Sequence, residues 1–244
     1  IAREKAGIVK TGVPLVLGDD MDPEAQRAIN EVAANVGAPI TIASGSAMLS
    51  GTNLRGAHQH QNANVAIAIA FELGLHISSP ENPLTNPQTA LRNALQHVTW
   101  PGRLERIETG RGPVLLDAAH NPDGAAALAG YLGDSRENDV DFGKPITLLF
   151  GTLADKAWPA MIDLLAPLAT HRVYTTPKGR APTDLAAIAA RFPGKMAADP
   201  IEALALAREI AGPNGLVVVC GSIFLIGEIR AHLLGLPLDP AVAL

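Results

Sequence analysis

Residues 215–235 read GLVVVCGSIFLIGEIRAHLLG, an uninterrupted apolar run followed by a longer segment of helical character. The apolar run at 215–222 is typical of a strand that is buried on both faces. Residues 222–235 predict a helix that stops at Gly235, because glycine readily adopts the left-handed conformation that terminates helices. A buried strand leading directly into a helix is the building unit of a parallel sheet covered by helices.

The same alternation of strand and helix continues upstream of this segment. Apolar or β-branched runs predict strands at 145–151 and 171–176, and helical patterns lie at 155–169, 183–192 and 199–212. In the last of these, Asp199 is expected to cap the helix and Pro200 to occupy its first position. Together these elements predict an α/β fold with a mainly parallel sheet.

The first 95 residues have a different pattern that is poor in strands. Short strands are predicted at 13–18 and 38–44, and helices at 23–36, in the later part of 56–74 and at 86–98, where Asn86 is the expected cap. So few strands do not make a whole α/β domain, and we interpret the segment as the tail of one. We place the boundary near residues 96–100 and expect domains at 1–97 and 98–244.

Composition limits the classes of function. The chain has 244 residues and a net charge of −5, which argues against a broad nucleic-acid surface. A single cysteine, Cys220, excludes an internal disulfide and a cysteine-based zinc site and suggests a cytoplasmic protein. The chain contains no apolar run of the roughly 18 residues that a membrane span needs, so no membrane partner is expected. It opens at Ile1 in mid-pattern, and we expect an N-terminal portion to be missing.

Polar residues follow the predicted strand in LLDAAHNPDG, residues 115–124. Ligands bind beyond the carboxyl ends of parallel strands, where loops meet helix N-termini. Asp117 at such a place is suited to accept hydrogen bonds from the hydroxyl pair of a ribose, and His120 and Asn121 are suited to bind a polar ligand. The alternative is that Asn121 only caps the following helix, with His120 half exposed.

Three further residues are candidates with equally ordinary alternatives. Arg103 follows Pro101-Gly102, so that a tight connection would fix the base of a guanidinium able to clamp phosphates, although most arginines are simply solvated. Asn62 is suited to cap a helix or to bind an adenine edge. Lys5 has small neighbours that permit partial burial; a buried, neutral amine takes up carbon dioxide to become a carbamate, whereas a surface lysine does not.

The sequence contains neither G-x-x-x-x-G-K-[ST] nor G-x-G-x-x-G, the two common phosphate-binding motifs. If the protein uses ATP through the usual glycine-rich cradle, that cradle does not lie in these residues.

Six blocks of the sequence, taken together, resemble one family. EKAGIVKTGVPLV, GAHQHQNA, WPGRLERI, LLDAAHNPDGA, LFGTLADK and VVVCGSIFLIGEIR are similar in order and spacing to the back half of folylpolyglutamate synthase/dihydrofolate synthase, of the Mur ligase superfamily. The resemblance covers essentially the whole chain. The family pattern DGAHNP is present as DAAHNP, with Ala118 in place of glycine.

The resemblance implies the architecture and the chemistry. It implies a P-loop ATPase α/β domain, of which residues 1–97 are the remainder, followed by a Rossmann-like C-terminal domain. The implied reaction is ATP-dependent amide formation, in which a folate or dihydropteroate carboxylate becomes an acyl phosphate and L-glutamate displaces the phosphate. Mg²⁺ would offset the polyphosphate charge, and the two domains would bring acid and amine together.

The resemblance also assigns roles to residues. It implies that Asn62 lies beside the adenine, that Arg103 contacts the ATP phosphates and that Asp117 binds the ribose. It implies that Lys5 is carbamylated near the metal centre, and that His120 and Ser222 line the cleft between the domains and contact ATP or glutamate. The family's phosphate loop, most of its pteroate pocket and its magnesium ligands match nothing in these residues. No metal ligand is therefore predicted here, and we expect the 244 residues alone to be inactive.

Two other functions remain open from the sequence. One is a cell-wall Mur ligase acting on a nucleotide-linked muramyl substrate, although EKAGI and SIFLIGE favour the folate branch. The other is a non-catalytic nucleotide-binding fragment. The family resemblance implies a monomer when the protein is full length.

Overall fold

The computed structural model describes residues 1–44, 52–74, 87–138, 145–178 and 181–238. Its contacts divide the chain into two units, Ile1–Thr99 and Trp100–Leu244. The predicted helix cap at Asn86 lies outside the described residues. Of the helices in the described ranges, none combines the length and the apolar character needed to cross a membrane.

The described residues of the first unit form two short strands and four α-helices. The helices are α1 (Ala2–Lys5), α2 (Pro23–Val36), α3 (Ala57–Glu72) and α4 (Pro87–Gln96), and the strands are β1 (Leu15–Gly18) and β2 (Ile40–Ala43). The two strands run parallel, with Leu15 opposite Ile40. The Asp22 carboxylate accepts the first free N–H groups of α2, and Gly37 ends that helix at a φ of 74°.

The second unit contains a six-stranded sheet with helices on both faces. The strands are β3 (Glu105–Ile107), β4 (Val114–Leu116), β5 (Ile146–Phe150), β6 (His171–Tyr174), β7 (Lys195–Met196) and β8 (Leu216–Cys220). The helices are α5 (Pro122–Asn138), α6 (Trp158–Leu165), α7 (Leu185–Arg191), α8 (Pro200–Ala211) and α9 (Ile223–Leu234). The strand order is β3-β4-β8-β5-β6-β7. Only β3 is antiparallel to its neighbour, which confirms the predicted α/β fold with a mainly parallel sheet.

Alternate residues of the central strands belong to two separate cores. Leu148 and Val218 pack with residues of α5, α6 and α7. Leu149 and Val219 pack with residues of α8 and α9 on the other face. Burial on both faces explains why these strands read as continuous apolar runs in the sequence.

The chain reverses direction across the sheet at β8. It moves outward from β4 through β5 and β6 to β7, and then returns through α8 to the position between β4 and β5. The segment that follows β4 therefore leads to α5 on one face, whereas the segment that follows β8 leads to α9 on the other. Such a divergence of neighbouring loops opens a crevice at the carboxyl edge of a parallel sheet.

Candidate functional site

The backbone turn that carries Arg103 is bound directly to the end of β4. The Ala118 N–H donates to the Gly102 carbonyl at 2.7 Å, and the Leu104 N–H donates to Oδ2 of Asp117 at 3.0 Å. Arg103 thus lies between two residues that are hydrogen-bonded to consecutive residues after β4. The predicted tight connection is present, and it belongs to the carboxyl edge of the sheet.

This turn has an unusual backbone conformation. Gly102 has a φ of 69°, and Leu104, which is not a glycine and is 2% exposed, has a φ of 47°. A Cβ atom at Gly102 would lie 2.8 Å from Cγ2 of Ile226, so α9 packs too closely for any larger residue. Left-handed non-glycine residues are uncommon, and strained backbone of this kind concentrates at functional sites.

A partly buried ion pair supports the same turn and was not predicted from the sequence. Both carboxylate oxygens of Glu105 accept from Nε of Arg230, at 3.0 and 2.8 Å. One of these oxygens also accepts the Gly102 N–H at 2.8 Å. The two residues are 125 positions apart and no local pattern links them. Their pairing fixes β3 and the turn before it to α9.

The Arg103 side chain itself is partly exposed. Within the part of the chain that the structure describes, its guanidinium has neither a hydrogen-bond nor an ion-pair partner. A guanidinium held on a fixed backbone and not engaged by a carboxylate is well suited to bind a phosphate.

Asp117 is 5% exposed, and its carboxylate organises the local backbone. Oδ2 accepts the Leu104 N–H, and Oδ1 accepts the Ala119 N–H at 3.0 Å. A carboxylate has two acceptor oxygens and no donor, which suits it to the hydroxyl pair of a ribose. Burial, together with the charge of Asp117, raises the pKa of the neighbouring Cys220 thiol, which keeps that thiol neutral.

The next residues place an imidazole and a helix cap at this edge. Nδ1 of His120 lies 2.9 Å from the Ala118 carbonyl, and because a carbonyl only accepts, this contact requires the proton on Nδ1. In the neutral ring Nε2 then carries the lone pair. The Asn121 side chain accepts the Gly124 N–H at 2.8 Å, which confirms that Asn121 caps α5, while His120 is partly exposed.

Ser222 reaches the same edge from β8. The Gly221 N–H donates to the Ala119 carbonyl at 2.9 Å, so the segments that follow β4 and β8 are directly joined. The Ser222 hydroxyl is the N-cap of α9 and accepts the Phe224 N–H at 3.2 Å. The side chain is 4% exposed. The structure therefore brings Arg103, Asp117, His120 and Ser222 into one hydrogen-bonded region.

A second ion pair near this edge was also missed by the sequence analysis. Lys178 lies four residues beyond the end of β6, and its ammonium bonds to Glu228 of α9, which is 6% exposed. The hydrogen bond and the charge of Glu228 raise the pKa of Lys178. Nothing in the sequence around Lys178 or around Glu228 indicates that the two residues lie close together.

The first unit contains the other two candidates, Asn62 and Lys5. Asn62 does not cap a helix, because α3 already begins at Ala57; its exposed side chain instead donates to Oε1 of Gln59 at 3.2 Å. Lys5 is exposed, which agrees with the alternative of an ordinary surface lysine. It is the last residue of α1, which has no buried residue, and the space around Gly7 is open.

Among the described residues, no three histidine, cysteine, aspartate or glutamate side chains are grouped closely enough to hold a metal ion.

Comparison with known proteins identifies the second unit. Residues 102–223, half of the chain, match the family described as Mur ligase, glutamate ligase domain. A dihydrofolate synthase/folylpolyglutamate synthase of Bacillus subtilis is 30% identical over 96% of this chain and 57% of its own length. A folylpolyglutamate synthase of Lacticaseibacillus casei is 32% identical over the same shares. The chain thus spans little more than half the length of these relatives.

A solved structure shares the fold. The folylpolyglutamate synthase of Mycobacterium tuberculosis, determined as a complex with ADP, superposes with a TM-score of 0.79 over 98% of this chain and 59% of that chain. At 23% sequence identity, this likeness describes the fold.

Proposed function

The chain belongs to the Mur ligase family, and from that premise we propose that it is the C-terminal portion of an ATP-dependent ligase that joins L-glutamate to folate or dihydropteroate. Two relatives named for this activity support the proposal, since their similarity runs through both units of the chain. The glutamate ligase domain supplies the six-stranded sheet and its carboxyl edge.

The proposed reaction proceeds in two steps. An oxygen of the acid substrate attacks the γ-phosphorus of ATP, giving an acyl phosphate and ADP. The amine of L-glutamate then attacks the acyl carbon, an amide forms, and inorganic phosphate leaves with the electrons of the broken C–O bond. Catalysis of this kind depends on positioning and on cations that stabilise the charge developing on phosphoryl oxygens.

The region around Arg103 is the observation that carries the proposal. Arg103 has a fixed backbone and a guanidinium with no protein partner among the described residues, which suits it to the ATP phosphates. Asp117 is proposed to bind the ribose and, through its bond to the Leu104 N–H, to hold Arg103 in place. His120 and Ser222 are proposed to contact ATP or glutamate from the joined segments after β4 and β8.

Asn62 and Lys5 are assigned by resemblance alone. Asn62 is proposed to lie beside the adenine, and Lys5 to act as a carbamate near the metal. Both side chains are exposed, so both can reach a ligand. Mg²⁺ is proposed as the cofactor that offsets the polyphosphate charge; the described residues contain no group of three histidine, cysteine, aspartate or glutamate side chains that could hold it.

The 244 residues are proposed to lack activity by themselves. They contain no glycine-rich phosphate motif, and the described residues form no metal cluster. Purified chain should release no ADP above background when given ATP, Mg²⁺, L-glutamate and dihydropteroate. Turnover that depends on both glutamate and the pteroate would contradict this part of the proposal.

The activity is best tested in a chimera, in which this chain replaces the corresponding C-terminal part of the Bacillus subtilis relative. We expect amide formation with pteroate substrates and none with muramyl nucleotides, followed as ADP release and by mass of the product. Arg103→Gln in the chimera should raise the KM for ATP strongly, because a phosphate contact is lost. Lys195→Gln, which changes an exposed cation on β7, is the matched control.

Each outcome of that screen selects one function. Turnover with muramyl nucleotides in place of pteroates would identify a cell-wall Mur ligase. Nucleotide binding without turnover on either acid, by a chimera that folds, would indicate a non-catalytic nucleotide-binding fragment.

A further inference from the structure

A second group of cations lies at the opposite edge of the six-stranded sheet. Because β3 and β4 are antiparallel, the turn that joins them, residues 108–113, is at the edge where the parallel strands begin. Helices α8 and α9 both begin at the carboxyl edge of the sheet and run back toward the opposite edge, where α8 leads into β8. The region is therefore separated from Arg103 and Asp117 by the length of the strands.

An open cleft of about 420 Å³ lies between this turn and the two helix ends. Its walls are Thr109, Gly110 and Arg111 from the turn, Arg208 from α8, and His232 and Leu233 from α9. Three of the six residues carry cationic or titratable nitrogen, in a chain whose net charge is −5.

Arg208 lacks the partners that a shielded guanidinium normally has. Its Nε is inaccessible to solvent and has no hydrogen-bond partner in the described part of the chain. Burial, and then the positive charge of Arg111 beside it, lower the pKa of Arg208. A shielded donor without an acceptor next to a like charge is unfavourable, and an anion in the cleft would offset the repulsion between the two guanidinium groups.

Among the described residues, no carboxylate forms an ion pair with Arg111 or Arg208. Glu202 and Glu209 line the adjoining, wider part of the cleft, but neither is within ion-pair distance of Arg111 or Arg208 in the structure as described. The C-terminal ends of α8 and α9 place partial negative charge nearby, which offsets part of the repulsion. The Thr109 hydroxyl is already engaged, donating to the Gly112 carbonyl at 2.6 Å.

We propose that this cleft binds a phosphate group, as inorganic phosphate or as part of a small phosphorylated molecule, between Arg111 and Arg208. Two guanidinium groups match the geometry and the double negative charge of a phosphate dianion, whereas a single carboxylate would balance only one of the two positive charges. His232 supplies a third nitrogen donor from α9. The site is distinct from the ATP contact proposed for Arg103 and does not depend on it.

Calorimetric titration of the 244-residue chain with inorganic phosphate, at constant ionic strength set by sodium chloride, tests the proposal. We expect saturable binding that is at least about tenfold weaker in Arg111→Gln, the loss of one charged hydrogen-bonding group. Arg111 is exposed, so this variant should fold. Arg208→Lys, which keeps the charge but removes the fork and the shielded Nε, should weaken binding as well.

Lys195→Gln, which removes an exposed cation on β7, is the matched control, and phosphate affinity should be unchanged in this variant. Arg103→Gln separates this site from the proposed catalytic one. If Arg103→Gln abolishes phosphate binding while Arg111→Gln does not, the anion binds at the other edge and the inference is wrong, whereas the proposed function is unaffected. Absence of saturable binding, or equal binding of acetate and phosphate, would also overturn it.

Discussion

At the scale of single residues, the carboxylate of Asp117 has two roles. It is expected to bind a ribose, and it also holds the backbone on both sides of the site through the N–H groups of Leu104 and Ala119. A residue that combines these tasks cannot be replaced by an isostere without loss. Asparagine has one acceptor oxygen and one donor NH₂, so one of the two backbone N–H groups would face a donor.

We therefore expect Asp117→Asn to lower the free energy of unfolding by about 1–3 kcal/mol, the usual penalty for a buried donor without a partner. Urea denaturation of the chain measures this change. Asp155→Asn is the control, since that carboxylate is mostly exposed and only weakly paired with Lys156, at 3.4 Å. Equal effects in the two variants would show that the hydrogen bonds of Asp117 contribute nothing particular to stability.

Two glycines around the start of α9 give opposite predictions for the same substitution. Gly221 has a φ of 109°, and a Cβ atom there would lie 2.5 Å from the Gly151 carbonyl oxygen. Gly227 lies within α9, and a Cβ atom there meets nothing within 4 Å. Gly221→Ala should destabilise the protein by about 1–3 kcal/mol or more, because both the backbone conformation and the contact are strained.

Gly227→Ala should instead raise the free energy of unfolding by about 0.5–1 kcal/mol, because alanine is the better helix former and has room. Thermal denaturation followed by circular dichroism compares the two variants directly. The description of the β8–α9 junction is wrong if Gly221→Ala is as stable as the unsubstituted chain.

At the scale of elements, the cap of α8 predicts a response to acid. Asp199 accepts the N–H groups of Ile201 at 2.8 Å and Glu202 at 3.0 Å. The bond from Glu202 is the main reason that the pKa of Asp199 lies below its usual 3.8. A lowered pKa means that the charged form is favoured in the folded state. Its stabilising contribution is complete above pH 3.8 and is lost as the pH falls through the lower, folded-state pKa.

Asp199→Asn keeps a capping oxygen but has no charge to titrate. The difference in melting temperature between the unsubstituted chain and this variant should therefore be constant at neutral pH and shrink as the pH falls below about 4. Asp199→Ala, which loses the cap at every pH, should melt lower throughout. A difference between the unsubstituted chain and Asp199→Asn that does not change with pH would contradict the assigned pKa shift.

The elements also show what a sequence can predict and where it stops. Long apolar strands such as β5 and β8, the Asp199 cap and the Gly235 stop are confirmed, because each depends on a local pattern. The strands β3 and β7 are not predicted, since they are two or three residues long, contain charged side chains and exist only through pairing with a neighbour.

In the candidate site, too, some features follow from a local sequence pattern and others do not. The edge position of Asp117 follows from a strand that ends before a helix, whereas the Glu105–Arg230 pair joins positions 125 residues apart and needs the folded chain. The exposure of Lys5 could not be decided from the sequence, because small neighbours permit burial but do not supply a covering element.

At the scale of the whole molecule, the two units differ in how well their sheets are covered. In the second unit, every residue of β5 and β8 is buried, and helices cover both faces. In the first unit, β1 pairs only with β2 among the described strands, and Ile40 and Ile42 are 37% and 41% exposed. A two-stranded sheet with an open apolar face has little independent stability.

Amide hydrogen exchange should therefore separate the two units. We expect the amides of β5 and β8 to exchange only through global unfolding of the second unit, and those of β1 and β2 to exchange much faster, through local opening of the first. Mass spectrometry of peptic fragments after a series of labelling times measures both in one sample. Addition of inorganic phosphate should slow exchange in fragments of the second unit and leave the first unchanged, because the proposed phosphate cleft lies entirely in the second. Equal protection of β1 and β8 would mean that the chain unfolds as one cooperative body, in which the stability of the first unit derives from the second.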